Sequence, residues 1–280
     1  MGKKVAAIQM VSSAHLDENL QSAARLIAEA SAAGAALVLL PEVFAVLEGG
    51  PMRPFGEKEG TGPIQEFLSA QARKHELILV GGTIPLITRP GRKPKDPDYF
   101  VDDERVRPAS LVYDASGAQI ARYDKIHLFD VVVADKQASY SESRSYEAGN
   151  EVVTADTALG RLGLTVCYDL RFPELYRELF SHQVDMVTVP AAFTRVTGEA
   201  HWETLLRARA IENQCYVIAA GQGGKHNEKR ETWGHSMIID PWGTVLDEID
   251  QGEGFAIAEI DLEFVDSVRK RMPISQQRKL

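Results

Sequence analysis

The apolar run Ala36–Phe44 (ALVLLPEVF) is the feature that most restricts how this chain can fold. A strand of this kind has no polar face, so other elements must cover it on both sides. Further apolar runs alternate with segments of helical periodicity along the rest of the sequence. This alternation predicts an α/β fold, and it fits both a doubly wound single sheet and two packed sheets.

Length and charge narrow the class of protein. With 280 residues, of which 44% are hydrophobic, the chain can bury a large core. We expect one domain over residues 1–280, with a C-terminal tail from about residue 272. The net charge of −9 argues against nucleic-acid and anionic-membrane partners, because both select clustered Lys and Arg side chains.

The two cysteines, Cys167 and Cys215, are too few for a disulfide framework, and both lie in apolar, strand-like runs. This usage suits a reducing compartment. The first residues predict a strand rather than a signal peptide, because they lack a long apolar segment, and no run is long enough for a membrane span. The sequence therefore predicts a cytoplasmic protein.

Cys167 lies in the stretch Arg161–Pro173 (RLGLTVCYDLRFP), where a buried strand gives way to a helix. Leu162–Val166 forms the strand, and Pro173 suits a first helical turn. Backbone N–H groups are unpaired at such a junction and the helix dipole is positive there, so both effects favour a thiolate. Cys167 is thus either a nucleophile with a lowered pKa or a small buried side chain, as most free cysteines are. Asp169 is interpreted as a turn-forming residue.

Three further charged side chains are candidates for a functional site. Glu42 follows a proline at the end of a buried strand, where α/β folds place ligand-binding and catalytic groups. Lys125 stands among apolar residues in RYDKIHLFDV, which predicts a partly desolvated ammonium group. Arg171 follows Cys167 closely, and its planar guanidinium suits either a substrate carboxylate or an ion pair with Glu174.

Three motifs resemble, in this order, the nitrilase superfamily of carbon–nitrogen hydrolases. They are LLPEVF around Glu42, RYDKIHLFD around Lys125 and TVCYDLRFPE around Cys167. The resemblance continues through residues 9–13 (QMVSS), 200–222 (AHWETLLRARAIENQCYVIAAGQ) and 233–243 (WGHSMIIDPWG). The segment NQCYVIAAGQGGKHNEKRETWGHSMIIDPWG is most similar to the deaminated-glutathione amidase branch. The neighbouring ω-amidases share CYDxRF and GxAHWE but differ in this late loop.

The resemblance implies both a fold and an assembly. The fold is a four-layer α-β-β-α sandwich, in which two sheets pack face to face and helices lie outside. Family members pair through helices near the nucleophile into a larger layered dimer, so a homodimer or a higher homo-oligomer is expected.

The resemblance also implies a catalytic set. Cys167 would attack an amide carbonyl to give a thioester, and Glu42 would transfer the protons. Lys125 and the backbone N–H of Tyr168 would stabilise the oxyanion. Glu142 would orient Lys125 and the attacking water.

One position in this set is open at the sequence level. Glu147 lies close to Glu142 in the same polar loop and is the alternative fourth acidic residue. No His, Cys and carboxylate residues have metal-ligand spacing, so neither a metal nor another cofactor is expected.

The sequence therefore predicts a cysteine-dependent amidase that acts on a small carboxylate-bearing amide, with deaminated glutathione as the implied substrate. An ω-amidase acting on 2-oxoglutaramate, or an N-carbamoyl or nitrile hydrolase with the same Glu-Lys-Cys set, is the enzymatic alternative. The non-enzymatic alternative is a degenerate scaffold protein. The presence of Glu42, Lys125 and Cys167 together argues against that last interpretation.

Overall fold

A computed structural model describes residues 3–47 and 50–279, and its strands form two large sheets and one small two-stranded sheet. Residues 1–2, 48–49 and 280 of the predicted domain lie outside the described residues. The strands, in chain order, are β1 (Lys3–Gln9), β2 (Ala35–Leu39), β3 (Ile78–Val80), β4 (Ile84–Leu86), β5 (Arg107–Tyr113), β6 (Gln119–Asp124), β7 (Asp130–Val132), β8 (Ser139–Ser141), β9 (Thr154–Thr157), β10 (Gly160–Leu164), β11 (Met186–Ala191), β12 (Tyr216–Gly221), β13 (Ser236–Ile239), β14 (Val245–Ile249) and β15 (Gly254–Ile260). The α-helices are α1 (Leu16–Ala32), α2 (Pro63–His75), α3 (Pro173–Ser181), α4 (Arg195–Asn213), α5 (Leu262–Arg271) and α6 (Ile274–Gln277).

The first large sheet is mixed. Strands β1, β2 and β3 run parallel, and β15 joins the outer edge of β1 in the antiparallel sense. Strands β3 and β4 pair with successive parts of one edge of β5, and β6 pairs with its other edge. The β5–β6 hairpin turns through the predicted residues Asp114–Gly117, where the Asp114 carboxylate accepts hydrogen bonds from the turn.

The second large sheet has the order β14-β13-β12-β11-β10-β9, with β10, β11 and β12 parallel and the outer pairs antiparallel. The two sheets are joined just beyond the ends of β1 and β12. There Met10 pairs with Gln222, and the N–H of Gly223 donates to the Met10 carbonyl at 2.8 Å. The last residues of β1 and β12 are therefore held side by side.

Alternate residues of β1 enter two different cores. Val5 and Ala7 belong to a cluster that contains side chains of both sheets and of α3 and α4. Ala6 and Ile8 belong to a second cluster, with side chains of α1 and α2. All four are fully buried. Because successive strand residues point to opposite faces, the first sheet is covered on both sides, as the apolar run in β2 requires.

Two features differ from the sequence interpretation. The polar segment 88–107 predicts an exposed excursion, but Val101 and Val106 in this segment are buried. The Arg89 side chain also donates to the backbone carbonyls of Asp98 and Phe100 within the same segment. The apolar spacing in the sequence predicts a helix from about Glu199 to Asn213, but α4 begins earlier, at Arg195. Within the described residues, no helix has both the length and the apolarity that crossing a bilayer requires.

Candidate active site

Glu42 lies just beyond β2 of the first sheet and is hydrogen-bonded to residues that follow two strands of the second sheet. Its Oε2 accepts the N–H of Ala192, which follows β11, at 2.9 Å, and its carbonyl accepts the side-chain amide of Gln222 at 3.0 Å. The next residue, Val43, has φ of 51°. A β-branched residue in the left-handed region costs on the order of 1–3 kcal/mol and persists only where its surroundings impose it. The Glu42 carboxylate is thus held at a fixed place between the sheets.

Lys125 follows β6 and is fully buried. Its Nζ lies 2.8 Å from Oε1 of Glu42 and 2.7 Å from Oε2 of Glu142. Its backbone is fixed as well, because its N–H donates to the Pro108 carbonyl and its carbonyl accepts the N–H of Gly149. Burial opposes the charge, but the carboxylates of Glu142 and Glu42 outweigh it and raise the pKa of the ammonium well above its usual value. Lys125 is therefore a permanent cation that joins two carboxylates.

The structure distinguishes the two acidic residues that the sequence left as alternatives. Glu142 begins a short 3-10 turn, Glu142–Arg144, and contacts Lys125. Glu147 points elsewhere and pairs with Arg89, where Nε lies 2.8 Å from Oε1. Arg89 holds the pKa of the Glu147 carboxyl below its usual value. Of the two, Glu142 is the one in place to orient the lysine.

Cys167 lies beyond β10, at the first position of the 3-10 turn Cys167–Arg171, with φ of 49° and 6% of its surface exposed. Burial and the nearby Glu42 carboxylate raise the pKa of its thiol well above the usual value, against the opposing effect of Lys125. The predicted lowering of this pKa is wrong. Helix α3 begins only at Pro173, so its dipole does not act on Cys167 directly, and desolvation dominates instead.

Asp169 connects the cysteine turn to the segment around Lys125. Its carboxylate is fully buried and accepts the hydroxyl of Tyr123 at 2.7 Å and the N–H of Val166 at 2.8 Å. It also accepts the N–H of His127 at 3.1 Å and lies 2.7 Å from Nδ1 of that ring. Because an ionised carboxylate only accepts, this contact makes Nδ1 the protonated nitrogen. Asp169 is thus more than the turn-forming residue of the sequence interpretation.

A cavity of about 380 Å³ lies beside these groups and is bordered by Glu42, Glu142 and Cys167. Its volume falls in the range of small-molecule sites. Aromatic side chains form much of its wall: Phe129, Tyr140, Tyr146, Tyr168 and Phe193. Among the residues that the structure describes, no group of three or more His, Cys, Asp or Glu side chains is arranged to hold a metal ion.

The sequence profile that describes carbon–nitrogen hydrolases matches residues 4–270. The chain belongs to the carbon–nitrogen hydrolase family. The predicted resemblance is therefore confirmed, and it extends over the strands and turns that carry the acidic, lysine and cysteine side chains described above.

Several relatives of this carbon–nitrogen hydrolase are similar over nearly its whole length. A curated protein of Yersinia enterocolitica named deaminated glutathione amidase is 39% identical over 276 residues, which are 98% of this chain and 92% of the relative. A protein of the same name from Synechocystis sp. (strain PCC 6803 / GT-S) is 42% identical over 275 residues, 98% of this chain and 97% of the relative. The crystal structure of Saccharomyces cerevisiae Nit3, described as a member of branch 10 of the nitrilase superfamily, superposes with a TM-score of 0.85 at 32% identity. That match covers 99% of this chain and 97% of the yeast chain.

Tyr168 and Arg171 have different places in this carbon–nitrogen hydrolase. Tyr168 follows the cysteine, and its ring borders the cavity. Arg171 does not border it. The Arg171 guanidinium lies 5.9 Å and 5.3 Å from the ring centroids of Tyr168 and Phe193, and its Nη1 lies 3.1 Å from Nδ1 of His201. Arg171 therefore packs against two wall residues and is not paired with Glu174, and its contact with a substrate carboxylate stays a prediction.

Sequence reasoning missed two kinds of functional candidate. One is Asp169, whose partners lie far away along the chain. The other is the pair of arginines that do border the cavity, Arg144 and Arg230. The only available signal for Arg230 was its place in the late loop that distinguishes the amidase branch.

Proposed function

We propose that this carbon–nitrogen hydrolase is an amidase that hydrolyses deaminated glutathione through a thioester on Cys167. The observation that carries the proposal is the contact of Lys125 with both Glu42 and Glu142. Both glutamates border the cavity that Cys167 also borders. The names of the relatives from Yersinia enterocolitica and Synechocystis support the substrate.

In the first step Cys167 attacks the amide carbonyl. Because its pKa is raised, the side chain enters as a thiol, and Glu42 takes the proton as the S–C bond forms. The carbonyl oxygen becomes an oxyanion, which the Lys125 ammonium and the backbone N–H of Tyr168 would stabilise. Losing one donor of this kind typically raises the barrier by about 3–4 kcal/mol.

The tetrahedral intermediate then breaks down. Glu42 passes its proton to the amide nitrogen, the C–N bond breaks, and the amine leaves as cysteinylglycine. Water next attacks the thioester while Glu42 removes its proton, and that proton returns to sulfur as the acid, 2-oxoglutarate, is released. Glu142 orients Lys125 through these steps and helps to place the water.

The charge balance of the site suits this cycle. A lysine buried alone would lose its proton, since desolvation disfavours the charged form. Two carboxylates within hydrogen-bonding distance keep Lys125 cationic. Glu142 is the second partner of Lys125, so the ammonium stays fixed when Glu42 takes up a proton.

We also propose how the chain is organised around this site. Residues 1–280 form one carbon–nitrogen hydrolase domain with a tail from about residue 272, and the sheets and helices stack as four layers, α-β-β-α. The two cores on either side of the first sheet support this order. A homodimer formed through α3 and α4 is proposed as well, supported by Val196 and Ile211 on α4, which are 43% and 45% exposed. The proposed location is the cytoplasm, because both cysteines are free.

Assays of the purified protein test the function. We expect deaminated glutathione to release cysteinylglycine with kcat/KM at least about tenfold above that for 2-oxoglutaramate, an N-carbamoyl amino acid or a simple nitrile. Cys167→Ala should abolish turnover, whereas Cys215→Ala is the matched control and should retain it, because Cys215 does not border the cavity. Preference for 2-oxoglutaramate would make the protein an ω-amidase. No turnover of any substrate would favour the scaffold interpretation.

A further inference from the structure

Two cations border the cavity without a carboxylate partner among the described residues, Arg144 and Arg230. The acidic side chains of the same wall, Glu42 and Glu142, are both bound to Lys125. They are therefore not available to neutralise the arginines. Within the described part of the chain, the cavity thus has one region where the charges are paired and a second region where two positive charges have no carboxylate partner.

The backbone of Arg230 is held in place, whereas one nitrogen of its guanidinium group has no hydrogen-bond partner among the described residues. The backbone N–H of Arg230 donates to Oδ1 of Asn227 at 2.9 Å, and its backbone carbonyl accepts the N–H of His226 at 3.0 Å. The guanidinium carbon lies 5.9 Å from the ring centroid of Tyr140, another wall residue. Its Nε is buried and has no hydrogen-bond partner among the residues that the structure describes. Buried donors in folded proteins are almost always paired, so an unpaired one beside a cavity calls for a ligand that accepts hydrogen bonds.

We infer that Arg230 binds a carboxylate of the substrate, with Arg144 as a second cation at the same wall. The inference rests on the proposed amidase function and names the feature of the substrate that the site selects. A guanidinium presents N–H donors in a plane that matches the two oxygens of a carboxylate. Deaminated glutathione has a carboxylate at each end, one on the acyl side of the scissile amide and one on the leaving group.

The chain supplies a matched control for this inference. Lys229 is the neighbouring cation, is exposed and does not border the cavity. Removing it changes the net charge by the same amount as removing Arg230.

The experiment compares Arg230→Gln with Lys229→Gln on deaminated glutathione and on two analogues, each with one carboxylate converted to a primary amide. For Arg230→Gln we expect KM to rise at least about tenfold on the parent compound, with kcat within about threefold of wild type. Lys229→Gln should leave both constants unchanged. One analogue should lose affinity with wild type but not with Arg230→Gln, and that analogue identifies the carboxylate that Arg230 binds.

Three results would overturn the inference. The first is a KM for Arg230→Gln within twofold of wild type. The second is an equal rise in KM with Lys229→Gln. The third is a further rise in the KM of Arg230→Gln on both analogues. If Arg230→Gln does not fold, Arg230→Lys replaces it, and an intermediate KM is expected because the point charge stays but the planar fork is lost.

The inference can fail separately from the proposed function. Turnover of deaminated glutathione with an unaltered KM in Arg230→Gln would keep the function and refute the carboxylate site. If wild type turns over none of the amides, the proposed function fails, and calorimetric titration with glutarate, an unreactive dicarboxylate, then tests the site alone. At least tenfold weaker binding to Arg230→Gln supports the site, and equal or absent binding in both proteins overturns it.

Discussion

The hydroxyl of Tyr123 donates a hydrogen bond to Oδ2 of Asp169 at a distance of 2.7 Å, and this bond connects the strand before Lys125 to the turn that begins at Cys167. Both residues are fully buried. Burial and the Asp169 carboxylate raise the pKa of Tyr123 well above its usual value, so the hydroxyl remains a donor. The proposed cation and nucleophile are thus positioned relative to each other by one buried carboxylate.

Tyr123→Phe should lower both stability and kcat while changing KM little. The variant leaves Asp169 without one donor, which we expect to cost about 1–3 kcal/mol in the free energy of unfolding. Tyr176→Phe is the matched control, because its buried hydroxyl lies 3.0 Å from Oγ1 of Thr165. Denaturant titration and steady-state kinetics on both variants are the measurements. Equal kcat in the two variants would show that the bond to Asp169 serves stability alone.

Lys125→Met should lower kcat by more than about 100-fold and also destabilise the protein. Removing one partner of a buried ionic group leaves uncompensated charge, at a cost of about 3–5 kcal/mol. In the double variant Lys125→Met/Glu142→Gln, we expect part of the stability to return, because one carboxylate becomes neutral, but none of the activity. A double variant no more stable than Lys125→Met would mean that the Glu142 contact has little electrostatic effect.

Cys167→Ala should reduce the loss of stability at alkaline pH. Below the ordinary pKa of cysteine, about 8.5, folded and unfolded chains both hold the thiol proton. Above it the unfolded chain releases the proton while the folded chain keeps it, so the free energy of unfolding falls as pH rises. Lys125, whose pKa is also raised, adds the same trend only above about pH 10.

Melting temperatures of wild type and Cys167→Ala between about pH 7 and 10 measure this effect. The difference between the two proteins should shift in favour of the variant as pH rises. Cys215, whose pKa burial raises to about 12, contributes equally to both and cancels. A shift in favour of wild type would instead indicate a resting thiolate.

Gly82→Ala should severely destabilise the protein and reduce activity. Gly82 has φ of 52°, and a Cβ there would lie 2.0 Å from the carbonyl oxygen of Pro41, the residue before Glu42. We expect a loss of more than about 3 kcal/mol in the free energy of unfolding, since the backbone that positions Glu42 has to move. Gly60→Ala is the control, with φ of 81° and open space around its Cβ. It should lose about 1 kcal/mol of stability and retain activity. Similar losses in both variants would mean that the positive φ, and not the contact with the Pro41 carbonyl, causes the loss of stability.

Local signals predicted several elements closely. Helix α2 has the predicted bounds, Pro63–His75, because proline marks its first turn and three basic residues occupy its last. The start of α4 was predicted too late, since Gly198 is typical of a loop. Here that glycine is inside the helix, where a Cβ would lie 2.2 Å from the Trp233 side chain. Such a contact depends on residues far apart in the sequence. Strand β4 was missed because it is short and contains Pro85.

In the candidate site, too, the residue identities could be predicted from local sequence, whereas the properties that depend on tertiary contacts could not. Motifs indicated Glu42, Lys125 and Cys167, because residue type and position next to predicted strands are visible in one sequence, and the family resemblance added Glu142 with Glu147 as its alternative. The protonation of Cys167 was not predictable, since it depends on how far the surrounding side chains exclude water. The choice between Glu142 and Glu147 depended on the direction in which a loop points.

The buried thiol of Cys167 has a consequence for how long the enzyme survives in a cell. Peroxides and alkylating metabolites react with thiolates far faster than with thiols. Under the proposed mechanism, Cys167 is deprotonated only when substrate and Glu42 act together, so it is shielded from such reagents between turnovers. We therefore expect the resting protein to withstand oxidants that inactivate low-pKa cysteine enzymes, and to become sensitive chiefly during catalysis.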